Sequence, residues 1–318
     1  MSVIFAGSMP YEFVNVSALV TSGAVYDPTH VEGAISKTAE MDQALARLFK
    51  APTAQEIWVH AKVFLGSALP GASSYSANVF TVQNASQTRL CGISCSWNAI
   101  ALNSGTSSID ITSFIARGVL QDLDLHMFQS GSLRIVELYV NGSLAATVRS
   151  TTIWSVPDTI IMSGVINSAC YYSELVVTEG NVPTIGMRLH SKRPDASLPG
   201  LNTFDAGFWG SLANGSMTDG VVTTNEGARV TGGFQAYTGP ATPLGIRGIV
   251  QSGRYLKNGT LLNLKGQLRI NDVNYDTPDY EFDDGNRLLS VWERNPVTNA
   301  PFVVGDFAGL QGGFYTDL

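Results

Sequence analysis

Residues 133–149, LRIVELYVNGSLAATVR, decide how the middle of this chain folds. Two apolar runs flank Asn141-Gly142, a dipeptide that readily adopts the positive φ angles of a two-residue type I′ turn. Apolar side chains recur at every second position on both sides of the turn: Val136, Leu138 and Val140 before it, and Leu144, Ala146 and Val148 after it. The stretch therefore predicts a half-buried antiparallel hairpin, whose apolar face needs a second sheet to cover it.

The composition of the whole chain extends this prediction to an all-β fold. Of 318 residues, 44% are hydrophobic and only 14% are charged, so a sizeable core is expected and disorder is not. Strand-like runs separated by Gly, Ser and Asn turns recur along the chain, at 56–65, 79–84, 90–97, 109–115, 159–165, 171–177, 244–252, 261–270 and 287–295. This spacing is typical of a β-sandwich or jelly roll. The first of these runs, EIWVHAKVFL, has one apolar face and one mixed face.

One segment predicts a short helix instead of a strand. In residues 35–50, ISKTAEMDQALARLFK, the residues Met41, Leu45, Leu48 and Phe49 fall at i, i+4, i+7 and i+8. Pro52 follows directly and would end a helix there. We expect this helix either to cover one end of a sandwich or to bind a partner.

Charge and cysteine content exclude several classes of protein. The net charge is −7 and the basic residues are scattered, which disfavours nucleic-acid binding. The N-terminus has no signal-peptide pattern, and no run approaches the roughly 20 apolar residues of a membrane span. Cys91, Cys95 and Cys170 are too few for a disulfide framework, and Cys91 and Cys95 would lie about 13 Å apart in a strand. We therefore expect reduced, buried thiols.

Few residues point to chemistry, and we predict no catalytic residue, cofactor or metal-ligand set from motif spacing. His30, His60, His126 and His190 lack any metal-binding spacing, and phosphate-binding and nucleophile-elbow motifs are missing from the sequence. One acidic stretch, DYEFDD, places Asp279, Glu281 and Asp283 on one face of a strand. Three interpretations remain open: a solvated edge, a calcium site, or the paired carboxylates of a glycoside hydrolase.

Tryptophans near predicted loops are candidates for sugar contacts, because a ring face stacks on the apolar face of a pyranose. These candidates are Trp97, Trp154 and Trp209. The alternative for each is a place in the core or in a subunit interface.

Two resemblances to known families add to these patterns. The hairpin sequence LYVNG, followed by a small-residue strand, resembles the hairpin of concanavalin A-like and laminin-G-like jelly rolls over residues 1–178. The junction TIGMRL, residues 184–189, is similar to a junction in a family of tailed-phage virion proteins. Motifs of that family also have counterparts, in the same order, in VQSG (250–253), LRINDVNY (268–275), SVWERNPVT (290–298) and GDFAGLQGGF (305–314).

These resemblances and patterns together predict the organisation and role of the chain. We expect a concanavalin-like jelly roll over residues 1–178, a linker at 179–186 and a second β-sandwich over 187–318. The phage resemblance implies a non-enzymatic virion component of tail, baseplate or fibre, made in the host cytoplasm and binding copies of itself and other virion proteins. The alternatives are a receptor-binding module for host-surface glycan, a capsid-decoration or head-fibre protein, and a glycoside hydrolase.

Overall fold

The computed structural model describes residues 2–7, 35–37, 43–66, 76–96, 98–164, 170–189, 194–212, 221–234, 245–255, 263–283 and 287–317. These residues form antiparallel strands with two short 3-10 turns, Trp209–Leu212 and Val304–Phe307. The chain divides into two compact units, Met1–Ser191 and Lys192–Leu318. The all-β prediction is therefore confirmed.

The first unit contains thirteen strands among the described residues. They are β1 Ser2–Gly7, β2 Ile35–Lys37, β3 Gln43–Arg47, β4 Glu56–Leu65, β5 Ser76–Asn84, β6 Arg89–Ser96, β7 Ile100–Ser104, β8 Ser107–Asp110, β9 Leu120–Ser130, β10 Leu133–Val140, β11 Ser143–Ser150, β12 Pro157–Ser163 and β13 Cys170–Glu179. A seven-stranded sheet has the order β1-β13-β4-β9-β10-β11, with β2 also paired to β13. A six-stranded sheet has the order β3-β12-β5-β6-β7-β8.

A buried tyrosine ties the two sheets of the first unit together. Tyr172, on β13 of the seven-stranded sheet, is 0% exposed. Its hydroxyl lies 2.8 Å from the carbonyl oxygen of Val79 on β5 and 2.7 Å from that of Ser163 on β12. Both carbonyls belong to the six-stranded sheet, so the two sheets face each other across one core, as in a sandwich.

The predicted hairpin is present with the predicted turn. Strands β10 and β11 pair antiparallel, and the two residues between them, Asn141 and Gly142, have φ angles of 50° and 82°. Positive φ at both central positions matches a type I′ turn, whose twist suits an antiparallel pair.

The return strand departs from the predicted alternation because it contains a bulge. Leu138 lies opposite Ala146, whereas Tyr139 lies opposite Leu144, so Ala145 is an extra residue. A bulge of this kind interrupts the alternation, so Leu144, before the bulge, does not share the face of Ala146, after it. Leu144 is consequently 54% exposed, and its predicted place on the apolar face is wrong.

The helix predicted at residues 35–50 is also wrong for the part that the structure describes. Residues 35–37 and 43–47 are strands β2 and β3, while 38–42 lie outside the described residues. β3 pairs with β12, which supplies partners for its backbone, and Leu48 and Phe49 are buried just after it. Helix propensity is a weak preference, and sheet pairing with a distant strand overrides it here.

The segment predicted to be a linker packs on the first unit. Residues up to Glu179 belong to β13, and the hydroxyl of Thr184 donates a 2.7 Å hydrogen bond to Asp124 on β9. Arg188 lies 2.9 Å from Asp122 on the same strand. The unit therefore extends to Ser191 and not to residue 178.

The second unit has two facing sheets of its own. Its strands are β14 Pro194–Asn202, β15 Arg229–Phe234, β16 Ile249–Arg254, β17 Asn263–Ile270, β18 Val273–Tyr275, β19 Tyr280–Asp283, β20 Arg287–Trp292 and β21 Gln311–Asp317. Five form a sheet in the order β14-β15-β21-β17-β18, and three form a sheet in the order β16-β20-β19. Gln251 on β16 donates its side-chain amide to the carbonyl of Gly313 on β21, which joins the two sheets.

A glycine allows the two sheets of the second unit to approach closely. A Cβ atom placed on Gly266 of β17 would lie 2.1 Å from the hydroxyl oxygen of Ser290 on β20. Leu268, Trp292 and Phe302 form the apolar cluster beside this contact.

All three cysteines are free and buried, as expected. Burial raises the pKa of the Cys91 thiol to about 12, so this thiol is neutral at physiological pH.

Candidate functional site

The best-organised polar cluster lies on the face of the seven-stranded sheet that points away from the sandwich core. Along β4, Ile57 and Val59 point into the core, and Trp58 and His60 alternate with them onto the opposite face. On β9, His126 lies opposite Trp58 and Asp124 opposite His60. The strand register therefore brings together side chains that are more than 60 residues apart in sequence. We call this set the outer-face cluster: Glu56, Trp58, His60, Asp124, His126, Glu137, Tyr139 and Thr184.

The centre of the outer-face cluster is a buried hydrogen-bond network. The Nδ1 atom of His60 lies 2.9 Å from Oδ1 of Asp124, and each of these side chains is 1% exposed. Thr184 donates its hydroxyl to the same Asp124 oxygen at 2.7 Å. The remaining polar atoms, Nε2 of His60 and Oδ2 of Asp124, are buried without a hydrogen-bond partner. Groups this deeply covered do not reach a substrate, so the network acts to hold β4, β9 and the segment after β13 together.

A second part of the cluster is built around His126. Its ring is stacked on Trp58 with 3.9 Å between centroids and an interplanar angle of 8°. Its two nitrogens lie 2.9 Å from a carboxylate oxygen of Glu56 and 3.1 Å from one of Glu137. Each ring nitrogen of His126 therefore faces one carboxylate, while the indole of Trp58 covers one face of the ring.

The hydroxyl of Tyr139 donates to the same carboxylate of Glu137 at 3.1 Å. Burial and this neighbouring carboxylate raise the pKa of Tyr139.

The rim of the face carries more exposed ion pairs. Lys62 lies 2.8 Å from Asp122, and Arg188 lies 2.9 Å from the same carboxylate. Burial alone would raise the pKa of Asp122, but these two cations lower it overall. The rim charges are therefore largely paired with one another.

The acidic strand of the second unit holds its three carboxylates in separate interactions. Oδ2 of Asp279 accepts a 2.6 Å hydrogen bond from the backbone N–H of Glu293, while Glu281 pairs with Lys265 at 3.1 Å. The hydroxyl of Tyr255 donates to Asp283 at 2.5 Å. The three carboxylates thus have three separate partners. Nowhere in the described parts of the chain do three or more His, Cys, Asp or Glu side chains gather as metal ligands.

A shallow cavity of about 280 Å³ adjoins Asp279 in the second unit. Its walls include Tyr275, Trp292, Arg294 and Asn299. No pattern in the sequence predicts this cavity, although the motif SVWERNP supplies several of its residues. The Nε1 atom of Trp292 is buried without a hydrogen-bond partner.

The three tryptophans proposed for sugar contacts have different surroundings. Trp209 is 2% exposed, donates to the carbonyl of Gly233 at 2.7 Å and packs edge-on against Phe234, so protein covers its ring. Trp154 is half-buried in the segment between β11 and β12. Trp97 lies outside the described residues.

Sequence reasoning found the strand that carries the outer-face cluster but not the cluster itself. The feature of the sequence that pointed to the cluster was the mixed polar and aromatic face of residues 56–65. The partners on β9 and β10 become neighbours only through sheet register.

In the parts of the chain that the structure describes, no helix has both the length and the apolar character needed to cross a membrane.

Comparison with known proteins gives structural likenesses alone. No family model matches the chain, and no curated protein matches it. Among solved structures, the binding domain of botulinum neurotoxin serotype D aligns with 97% of this chain and 80% of its own, at 9% identity and a TM-score of 0.41. The galectin LEC-6 of Caenorhabditis elegans aligns with 40% of this chain and 88% of its own, at 12% identity and a TM-score of 0.30. A sialidase aligns with 48% of this chain and only 16% of its own length, at 8% identity and a TM-score of 0.36. These likenesses concern β architecture alone.

Proposed function

We propose that this chain is a non-enzymatic structural component of a tailed-phage virion, of the tail, baseplate or fibre. The observation that carries the proposal is the burial of three of its five tryptophans. Trp58, Trp209 and Trp292 are 5%, 2% and 1% exposed. A scaffold protein uses its large aromatic side chains to stabilise its sheets, whereas a sugar-binding groove leaves a ring face open to solvent.

The residues that resemble the phage family also serve the framework of the second unit. Trp292, from SVWERNPVT, packs with Leu268, from LRINDVNY, in one apolar cluster. Asn295 is 4% exposed and closes the following turn, in which its backbone N–H donates to the carbonyl of Ala300 at 2.9 Å. The motifs thus supply packing and turn positions, which fits a role in assembly. Binding to copies of itself and to other virion proteins is part of the proposal.

Localisation on purified particles tests this proposal. We expect mass spectrometry to detect the chain in virions from its source, and an antibody against the second unit to label a defined place on the tail in negative-stain images. Antibody label on the head would show that the chain is a capsid-decoration or head-fibre protein and not a tail protein. Absence of the chain from particles that contain the other tail proteins would refute the virion role.

A second candidate function is binding of host-surface glycan through the first unit. Trp154 is half-buried, and its neighbour Ile153 is 80% exposed. Beside them the side-chain amide of Asn84 donates to the hydroxyl of Ser155 at 3.0 Å. An accessible aromatic ring next to polar groups is the arrangement that a sugar ring requires.

Glycan-array binding with the full chain distinguishes this candidate. Replacing Trp154 by alanine is expected to weaken binding about tenfold, which corresponds to about 1.4 kcal/mol. Val119→Ala, at another exposed apolar position, is the control and is expected to bind like the wild type. If the wild type binds no glycan on the array, or if both variants bind equally well, Trp154 does not contact a glycan.

A further inference from the structure

The cavity of about 280 Å³ in the second unit has walls that are rich in polar groups without partners. Two stretches of chain form these walls: 275–279, between β18 and β19, and 292–299, at the end of β20 and in the turn that follows it. In the parts of the chain that the structure describes, the hydroxyls of Tyr275 and Thr277 and the side-chain amide of Asn299 make no hydrogen bond. These groups are therefore available to a ligand in the cavity.

Hydrogen bonds hold the walls of the cavity in place. Oδ2 of Asp279 accepts from the backbone N–H groups of Glu293 and Arg294, at 2.6 Å and 3.3 Å. Nη1 of Arg294 donates to the carbonyl of Asn299 at 3.0 Å, and the N–H of Asn299 donates to the carbonyl of Asn295 at 2.8 Å. A site that is already ordered loses less free energy when a ligand binds.

The remaining atoms of Asp279 and Arg294 decide what kind of ligand fits. Among the described residues, Oδ1 of Asp279 and the Nε and Nη2 atoms of Arg294 have no partner, and both side chains are exposed. An anion in the cavity would meet the carboxylate, and a cation would meet the guanidinium. A neutral ligand with hydroxyl groups suits both, because a hydroxyl donates and accepts.

The size and the apolar part of the cavity narrow the ligand further. Its volume lies just below the about 300–1,000 Å³ of sites for drug-sized ligands, so the cavity suits a ligand of a single ring. Tyr275 and Pro296 are half-buried, so each leaves part of its apolar surface in reach of a ligand. Apolar ring surface beside converging polar groups matches a pyranose, which has an apolar face and a hydroxyl-bearing edge.

We propose that this cavity binds one neutral pyranose ring of a glycan. Oδ1 of Asp279 accepts from one hydroxyl of the sugar and Arg294 donates to another, while the hydroxyls of Tyr275 and Thr277 bind the rest of the ring. Because the cavity is shallow, further sugar residues of the glycan extend into solvent. The site is separate from the candidate at Trp154 in the first unit and does not depend on it.

Saturation-transfer-difference NMR with the full chain tests the proposal. The probes are the methyl glycosides of glucose, mannose, galactose, rhamnose and N-acetylglucosamine, together with L-alanine as a probe for a zwitterion site. We expect transfer to at least one glycoside, with a dissociation constant on the order of 1–10 mM, because a shallow site for one ring makes few contacts. Transfer to none of the glycosides, or to L-alanine alone, would overturn the proposal.

Three variants show where the glycoside binds. Asp279→Asn keeps an oxygen for the two backbone N–H groups but replaces the free carboxylate oxygen by a donor, and is expected to weaken binding about tenfold. Asp272→Asn is the matched control, because its side chain is 90% exposed in the turn before β18, and it is expected to bind like the wild type. Trp154→Ala is also expected to bind like the wild type. Loss of binding in Trp154→Ala, with unchanged binding in Asp279→Asn, would place the glycan in the first unit and refute the site.

A crystal structure of the wild type soaked with the glycoside that binds most tightly needs no variant. We expect density for one pyranose ring within hydrogen-bonding distance of Oδ1 of Asp279 and of the guanidinium of Arg294. Density for the ring elsewhere on the molecule, with the cavity holding only water, would contradict the proposal.

Discussion

Replacing Trp292 by alanine is expected to lower the free energy of unfolding of the second unit by about 3–5 kcal/mol. Trp292 is 1% exposed and packs with Leu268 and Phe302 in the apolar cluster between the two sheets. A Cβ atom on Gly266 would lie 3.3 Å from its ring, so the indole fills the space that this glycine leaves open. Removing the ring therefore creates a cavity that the rigid sheets cannot close.

Urea unfolding of the full chain, followed by circular dichroism and by hydrogen exchange in β16 and β20, measures this loss. Trp292→Phe, which removes only part of the ring, is compared with the alanine variant. It is expected to cost less than the alanine variant, because the indole nitrogen has no hydrogen-bond partner to lose. Val297→Ala, at a position that is 51% exposed, is the control and should change stability by less than about 0.5 kcal/mol. A Trp292→Ala protein as stable as this control would contradict the place of Trp292 in the core.

The second large effect is expected in the network of His60 and Asp124. Replacing Asp124 by leucine should lower the free energy of unfolding by about 3–5 kcal/mol, because it removes one partner of a buried polar pair. The change leaves Nδ1 of His60 and the hydroxyl of Thr184 without their acceptor. His60 and Thr184 are each 0% exposed, so water cannot replace the lost carboxylate. Asp122→Leu, two residues earlier on the same face, removes a carboxylate that is 26% exposed and should cost about 1 kcal/mol or less.

A double-mutant cycle separates coupling within the pair from the loss of each group. His60→Leu/Asp124→Leu replaces both partners by apolar side chains, so no member of the pair stays buried and unpaired. We expect the double variant to be more stable than the sum of the single changes predicts, by about 1–3 kcal/mol. Urea unfolding of the four proteins gives this coupling energy directly. Strict additivity would show that His60 and Asp124 do not depend on each other.

The sequence alone predicted the features that depend on local backbone preference. Asn141-Gly142 identified the type I′ turn because both residues tolerate positive φ, and the period-two pattern identified strands β4, β10 and β13. It failed where a distant partner decided the outcome. The helical spacing of residues 35–50 gave way to pairing of β3 with β12, more than a hundred residues away.

The tertiary structure alone decided which polar side chains are buried and with which partners. In the sequence, Arg134 is one charged residue at the start of an apolar strand, and His60 is one polar residue on a mixed face. Sheet pairing places His60 beside Asp124, and the packing of β10 over β7 covers Arg134 beside Ser104. Turn and strand preferences act over a few neighbouring residues, so sequence reveals them. Burial depends on residues that are 30 to 64 positions apart and meet only when the sheets close on each other, so the candidate sites become visible only in the fold.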